Sequence, residues 1–240
     1  MSKEIGQIKR LFRYPVKSMA GVPLDRADLG WHGLNGDRRF AFRRLMDQSG
    51  FPWLTASRLP QLLLYKPVGE AGVDKVLPTH VRTPDGAELE LEGEDLRNEL
   101  SRRHGSPVQM MQLKHGIFDE ATVSLINVGT IREVEREANR QLDVLRFRPN
   151  IVIESHDVEP FAEDQWVGKT LRFGTDDNGP AVSVTMRDLR CVMLNLDPET
   201  AEADSSVMKA ALRLNANHAG VYATVIRSGE LRIGQKVYLG

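Results

Sequence analysis

Cys191 is the only cysteine in the 240-residue chain; Arg190 stands directly before it and Arg187 four residues upstream. A thiol beside guanidinium groups ionises more readily, and the thiolate is both a nucleophile and a soft metal ligand. Free cysteine is also among the residues most often packed into a core. This stretch alone leaves both readings open. Basic and amide side chains gather at other junctions. Lys17 and Ser18 follow Pro15 in an irregular loop, Arg38 and Arg39 come straight after Asn35-Gly36-Asp37, and Arg146, Arg148 and Asn150 bracket Pro149. Taken singly, each is a solvated surface charge. Taken together, cations and hydroxyls at loop mouths are what an anionic phosphate group requires.

Other chemistries lack their devices. No G-x-G-x-x-G follows a strand, and there is no G-x-x-x-x-G-K-[ST] loop and no G-x-S-x-G elbow. The six histidines never fall at paired zinc-ligand spacing. The net charge of −1 argues against a dedicated nucleic-acid binder. The N-terminus shows no apolar signal region and the densest apolar run, Leu62–Tyr65, is far too short to span a bilayer. One cysteine forms no internal disulfide, so folding needs no oxidising compartment. The expectation is a cytoplasmic protein with neither nucleic acid nor membrane as partner.

The elements that position these residues read mostly as short strands. Residues 5–12 alternate up to Tyr14-Pro15, Arg38–Met46 alternate before the turn at Asp47–Gly50, and Leu62–Pro67, His80–Thr83, Ala87–Leu91 and Val108–Leu113 continue the pattern. Asp95–Arg103 and Val207–Leu214 are predicted as short helices. The clearest helix carries a Thr130-x-x-Glu133 capping box and an apolar stripe of Ile131, Val134, Ala138 and Leu142. The strand Val182–Met186 leads into the cysteine, and a second strand is expected to run out of it. On that second strand Val192, Leu194 and Leu196 would share one face, leaving Cys191, Met193 and Asn195 on the more polar one. A bulge near Arg187-Asp188 would re-aim them. Many short strands with Gly, Pro and Asp turns predict a mostly β protein of barrel type. A boundary near residues 93–106 divides it into 1–100 and 101–240.

These residues also match a known family. Arg146-Phe147-Arg148-Pro149-Asn150-Ile151, Arg190-Cys191 with Leu196-Asp197-Pro198-Glu199-Thr200, Ala219-Gly220-Val221-Tyr222 and Gly229–Val237 resemble the MOSC domain, named for the C-terminal domain of molybdenum-cofactor sulfurases. Tyr14-Pro15-Val16-Lys17-Ser18, Gly36-Asp37-Arg38-Arg39-Phe40 and Leu54–Leu62 resemble the β-barrel domain that often precedes it. The resemblance implies an N-terminal β-barrel-like domain, then a MOSC antiparallel β-barrel with a few short helices. It implies molybdenum cofactor (molybdopterin) held between them, with Cys191 as metal ligand and catalytic centre. Lys17, Ser18 and Arg38 would hold the pterin's phosphate or ring from one side. Arg148, Asn150 and Arg190 would hold it from the other, with Tyr222 lining the pocket. Arg187 joins the same expected cradle.

Two departures stand out. Leu189 occupies a position where the amidoxime-reducing members of the family carry serine, and Ala219 stands where phenylalanine is expected. One cysteine cannot hold an iron–sulfur cluster, so electrons for a reductase would come from a separate iron–sulfur, flavin or haem protein. The leading expectation is a molybdenum-dependent oxidoreductase that reduces small N-hydroxylated or N-oxide substrates. A sulfur carrier or sulfurtransferase with a persulfide on Cys191 is the alternative. A non-catalytic anion- or cofactor-binding module is a third.

Overall fold

The computed structural model describes residues 2–70, 76–116, 118, 120–156 and 159–240. The chain opens with β1 (Lys3–Arg13), β2 (Val22–Leu24), β3 (Arg26–Gly30), β4 (Gly33–Leu34) and β5 (Phe40–Arg44). Then come β6 (Lys66–Val68), β7 (His80–Arg82), β8 (Glu88–Glu90), helix α1 (Glu94–His104) and β9 (Val108–Gln112). The second half holds β10 (Val123–Asn127), α2 (Val128–Ala138), β11 (Ile151–Ser155), β12 (Thr170–Phe173) and β13 (Ala181–Leu189). It ends with α3 (Ser205–Asn215), β14 (His218–Arg227), β15 (Gly229–Arg232) and β16 (Lys236–Leu239).

The main sheet runs β11-β10-β14-β13-β12-β16-β1-β2, and β1 also pairs with β11, so seven strands close into a barrel. Closure removes the exposed edges that an open sheet would present. The mostly β barrel architecture is as the sequence predicts, with one departure: β10 and β11 run parallel. The link between them is long enough to carry α2, the crossover that a parallel pair needs. β1 pairs with C-terminal strands along both edges, and β3 pairs with β15. The first 34 residues are therefore woven into sheets with the second half of the chain. Outside them, β5–β9 and β6-β7-β8 form two small antiparallel sheets around α1.

Its pairing with β11 lets β1 serve two cores. A register shift between Ile8 and Arg10 lets Ile8 and Leu11 both face the barrel interior, although a regular strand would put them on opposite faces. Phe12 then turns outward into the layer beneath α2 and α3, with Tyr14, Ile126, Val134, Phe147 and Ala210. Gly6 sits where β1 meets β11, and a Cβ there would lie 2.2 Å from the Glu154 carbonyl oxygen. Only glycine permits that approach.

Three local expectations are corrected. The predicted strand from Leu62 begins instead as a 3-10 turn over Pro60–Leu64, and only Lys66–Val68 is extended. Pro60 presets the turn's first residue. The Thr130 capping box does not form, because α2 starts earlier, at Val128. Thr130 donates its hydroxyl to Glu163 at 2.7 Å, and Glu133 pairs with Arg136. The α2 stripe also ends at Ala138, where Asn139 is left-handed, so Leu142 is buried from a loop rather than a helix. The helices expected at 95–103 and 207–214 are present, each slightly longer. Asp204 caps the latter by accepting from the Ser206 N–H at 2.8 Å.

Glu163 is the buried group that supports the start of α2. Its carboxylate accepts from the Asn127 N–H at 3.2 Å and from Thr130, with no exposure to water. Burial pushes this carboxyl up to about 7, against those hydrogen bonds. A folded-state value above the unfolded one means the folded chain binds the proton more tightly. Stability from Glu163 is thus fully present below its unfolded value of 4.5 and is lost as pH rises through about 7. The expected loss is about 3 kcal/mol. Urea titrations from pH 4.5 to 8 check this, and Glu163→Gln should flatten that part of the profile.

Candidate functional site

Strand β13 ends at Leu189 and hands the chain to Arg190 and Cys191 in extended backbone. The strand expected to leave Cys191 is instead a 3-10 turn over Val192–Asn195, closed by Leu194 N–H to the Cys191 carbonyl at 3.0 Å. Strand parity therefore does not govern which side chains of this stretch face solvent. Cys191 is nevertheless exposed, because the chain turns away just after it and buries Leu194 and Asn195 instead. The thiol opens into a cleft of about 360 Å³.

The opposite wall comes from the N-terminal half. The Lys17 N–H donates to the Phe40 carbonyl at 2.8 Å and the Arg38 N–H to the Tyr14 carbonyl at 2.7 Å, which ties the 14–18 loop to the start of β5. Lys17 and Ser18 are buried, at 6% and 4% exposure, yet both line the cleft. The Lys17 ammonium lies 5.3 Å from the centroid of Phe51, whose half-exposed ring stands at the cleft mouth. Arg148 enters after the 3-10 turn Val144–Phe147 and donates to the Met19 carbonyl at 2.9 Å. Ser18, Arg38 and Arg148 adopt φ of 65°, 48° and 48°. Left-handed backbone at a non-glycine residue is costly and collects where function over-determines geometry. Here three such residues converge on one cleft.

Behind the cations lies a buried knot. Asp37 accepts from the Tyr14 N–H at 2.6 Å and pairs with Arg38. Asn150 donates to Asp37 at 3.1 Å and to the Phe12 carbonyl at 3.3 Å, and accepts from the Ser124 N–H at 3.1 Å. Its amide also accepts from Arg38 at 3.4 Å. Asn150 has no exposure and does not line the cleft, so it stands behind Arg38 and supports it. Asn150→Ala strands the Ser124 N–H and removes one of the donors to the Asp37 carboxylate, which keeps Arg38. The expected cost is about 3 kcal/mol of unfolding free energy, read by denaturant titration.

The remaining wall is mixed. Arg190 lines the cleft but spends its donors internally, on the Phe147 carbonyl at 2.6 Å and the Ala219 carbonyl at 2.6 Å. It also pairs with Asp188 at 2.9 Å. Gly220, at φ 88°, makes room for it: a Cβ there would lie 3.0 Å from the Arg190 guanidinium and 2.6 Å from the Leu125 carbonyl. Asp188 is 2% exposed and also accepts from Ser124 at 3.2 Å. Burial raises its proton affinity, against Arg190 and the hydrogen bonds from Ser124 and Tyr222. Tyr222 lines the cleft beside it.

The structure thus gathers Lys17, Ser18, Arg38, Arg148, Arg190, Cys191 and Tyr222 around one cavity. Arg187 is not among them. It pairs with Asp164 at 2.9 Å and donates to Asn215, which corrects its expected place in the cradle. Arg39 points elsewhere too, onto the Leu113 carbonyl. Arg146 reaches the cleft while holding Asp197 at 2.7 Å and the Asn195 carbonyl at 2.8 Å, which fixes the turn after Cys191. Asp188, Ser124 and Phe51 escaped sequence reasoning. Only Asp188 gave a signal, an acid between two arginines on a strand leading to the cysteine.

A β-barrel bearing one exposed thiol beside a wall of sunken cations has the chemistry to hold an anion, with a soft nucleophile or metal ligand at its mouth. The chain belongs to the MOSC domain family: the MOSC domain profile matches residues 101–238, and the MOSC N-terminal beta barrel domain profile matches residues 5–123. The human mitochondrial amidoxime-reducing component 1 is 23% identical over 99% of this chain and 84% of its own length. A Caenorhabditis elegans molybdenum cofactor sulfurase is 25% identical over 97% of this chain but only 35% of its own length. Among solved structures, the YUAD protein from Bacillus subtilis superposes with a TM-score of 0.54 at 14% identity, covering 100% of this chain and 98% of that one. At that identity the likeness concerns the fold alone. No helix among the described residues is long and apolar enough to cross a membrane.

Proposed function

We propose that the cleft holds molybdenum cofactor and that the protein is an oxidoreductase acting on small N-hydroxylated or N-oxide compounds. The observation that carries this reading is the pairing, in one cavity, of an exposed soft ligand with hard cations set in left-handed backbone. The residues fit such a group. Cys191 would supply a thiolate to the metal, while Lys17, Ser18, Arg38 and Arg148 would hold the phosphate and ring. Arg190 and Asn150 would keep the wall rigid from behind, and Tyr222 would border the ring. When bound, the cofactor supplies two-electron oxygen-atom chemistry that no side chain offers. The open mouth at Cys191 gives substrate and a separate electron-transfer protein access. The amidoxime-reducing names of the relatives support the reaction class. A thiol left free and exposed suits the reducing cytoplasm. Protein purified from a cofactor-making host should carry molybdenum and reduce an N-hydroxylated test compound with a chemical electron donor. Metal-replete protein inactive on every N–O compound tried would remove the reductase reading.

One observation favours a second reading. The exposed Cys191 is also placed for persulfide transfer, and a relative bears the name of a cofactor sulfurase. Incubation with a cysteine desulfurase, followed by intact-mass analysis, separates the two: added sulfur on Cys191 supports the carrier, unchanged mass the reductase.

A further inference from the structure

The two cations that enter the cleft from opposite halves of the chain share one aromatic ring. The guanidinium carbon of Arg38 lies 5.1 Å from the Tyr14 ring centroid, and that of Arg148 lies 4.2 Å from it. Tyr14 is fully buried, and its hydroxyl has no hydrogen-bond partner among the described residues. Burial pushes that phenol far above its ordinary range, so it stays neutral. Its backbone is pinned by Asp37 and by the Arg38 N–H. Gly21 packs against the ring so tightly that a Cβ there would lie 2.5 Å from it.

A ring so placed donates no hydrogen bond and no proton. What it gives the site is its π face. Two guanidinium groups converging on one cleft repel each other, the more so away from water. An aromatic face attracts each of them and also restricts where each can lie. Arg38 further donates to the Arg148 carbonyl at 3.5 Å, so the two residues are already linked through the backbone.

We propose that Tyr14 is a positioning residue whose ring holds Arg38 and Arg148 as one preformed clamp for a phosphate-class anion. This rests on reading the cleft as an anion site, and it holds for any phosphate-bearing ligand there, molybdenum cofactor included.

The test uses the full chain without cofactor, inorganic pyrophosphate as probe, and isothermal titration. Tyr14→Phe keeps the face, so its affinity should stay within about twofold of wild type. Its melting temperature should equal or exceed that of wild type, because the unpartnered hydroxyl is gone. Tyr14→Leu keeps apolar bulk but loses the face, so affinity should fall about tenfold. In NMR spectra, ring current should shift the side-chain Nε–Hε signals of Arg38 and Arg148 upfield in wild type and Tyr14→Phe, and not in Tyr14→Leu. Equal affinity in wild type and a folded Tyr14→Leu overturns the proposal, as does a wild type that does not bind pyrophosphate. Unshifted arginine signals in wild type overturn it as well, and that measurement needs no variant to fold. A chain that shows the clamp pattern but takes up no molybdenum keeps this proposal and removes the cofactor reading instead.

Discussion

Replacing Cys191 with serine should leave the fold intact and remove bound molybdenum almost completely, by about 100-fold or more relative to wild type. The fold should survive because the side chain is exposed and fills no core. Its backbone role, accepting from the Leu194 N–H, does not involve the sulfur. The metal should be lost because a hard hydroxyl is a poor substitute for a soft thiolate. Reductase activity should fall with the metal, while inorganic pyrophosphate affinity stays near that of wild type, since the cations lie on another wall. Mass-spectrometric metal analysis of the two proteins, prepared side by side, checks the first point. Titration calorimetry checks the second.

The second large effect separates two arginines that look equivalent in the sequence. Arg38→Met should destabilise the fold by about 3–5 kcal/mol, because Asp37 is 1% exposed and loses its cation. Asn150 and the Tyr14 N–H still donate to that carboxylate but carry no full charge. Arg148→Met removes the donor to the Met19 carbonyl at 2.9 Å. Its fold cost should be near 1 kcal/mol, and its main effect a loss of anion affinity of about 10- to 100-fold. Denaturant titration should therefore separate the two variants, while pyrophosphate affinity should fall in both. Equal fold costs would mean that Asp37 is not the anchor of this wall.

Most of the strands were legible in the sequence because their alternation and turn residues are local signals, as at residues 38–50 and 80–91. Several features of the site were legible too, since cations beside Gly-Asp and Pro-Asn turns mark loop mouths. Four things were not. The bulge in β1 is set by how it pairs with β11, so no local pattern reveals it. The turn after Cys191 reads as a strand because Val192, Leu194 and Leu196 alternate, yet Arg146 and Asp197 fold it over. Arg187 lies near the end of β13 and Arg190 just past it, and they face different partners, Asp164 and the Ala219 carbonyl. A register shift between Arg187 and Leu189 lies between them, and the sequence shows only two arginines near a cysteine. Glu163 was invisible for a similar reason: its partners, Asn127 and Thr130, lie more than thirty residues away.

The central claim is that Cys191 and the cation wall together hold molybdenum cofactor. Metal and pterin analysis of wild-type protein from a cofactor-making host tests it most directly, with Cys191→Ser beside it. The account predicts stoichiometric molybdenum and pterin in the wild type and almost no metal in the variant. Well-folded wild-type protein with neither molybdenum nor pterin, or a variant that retains both in full, would contradict it.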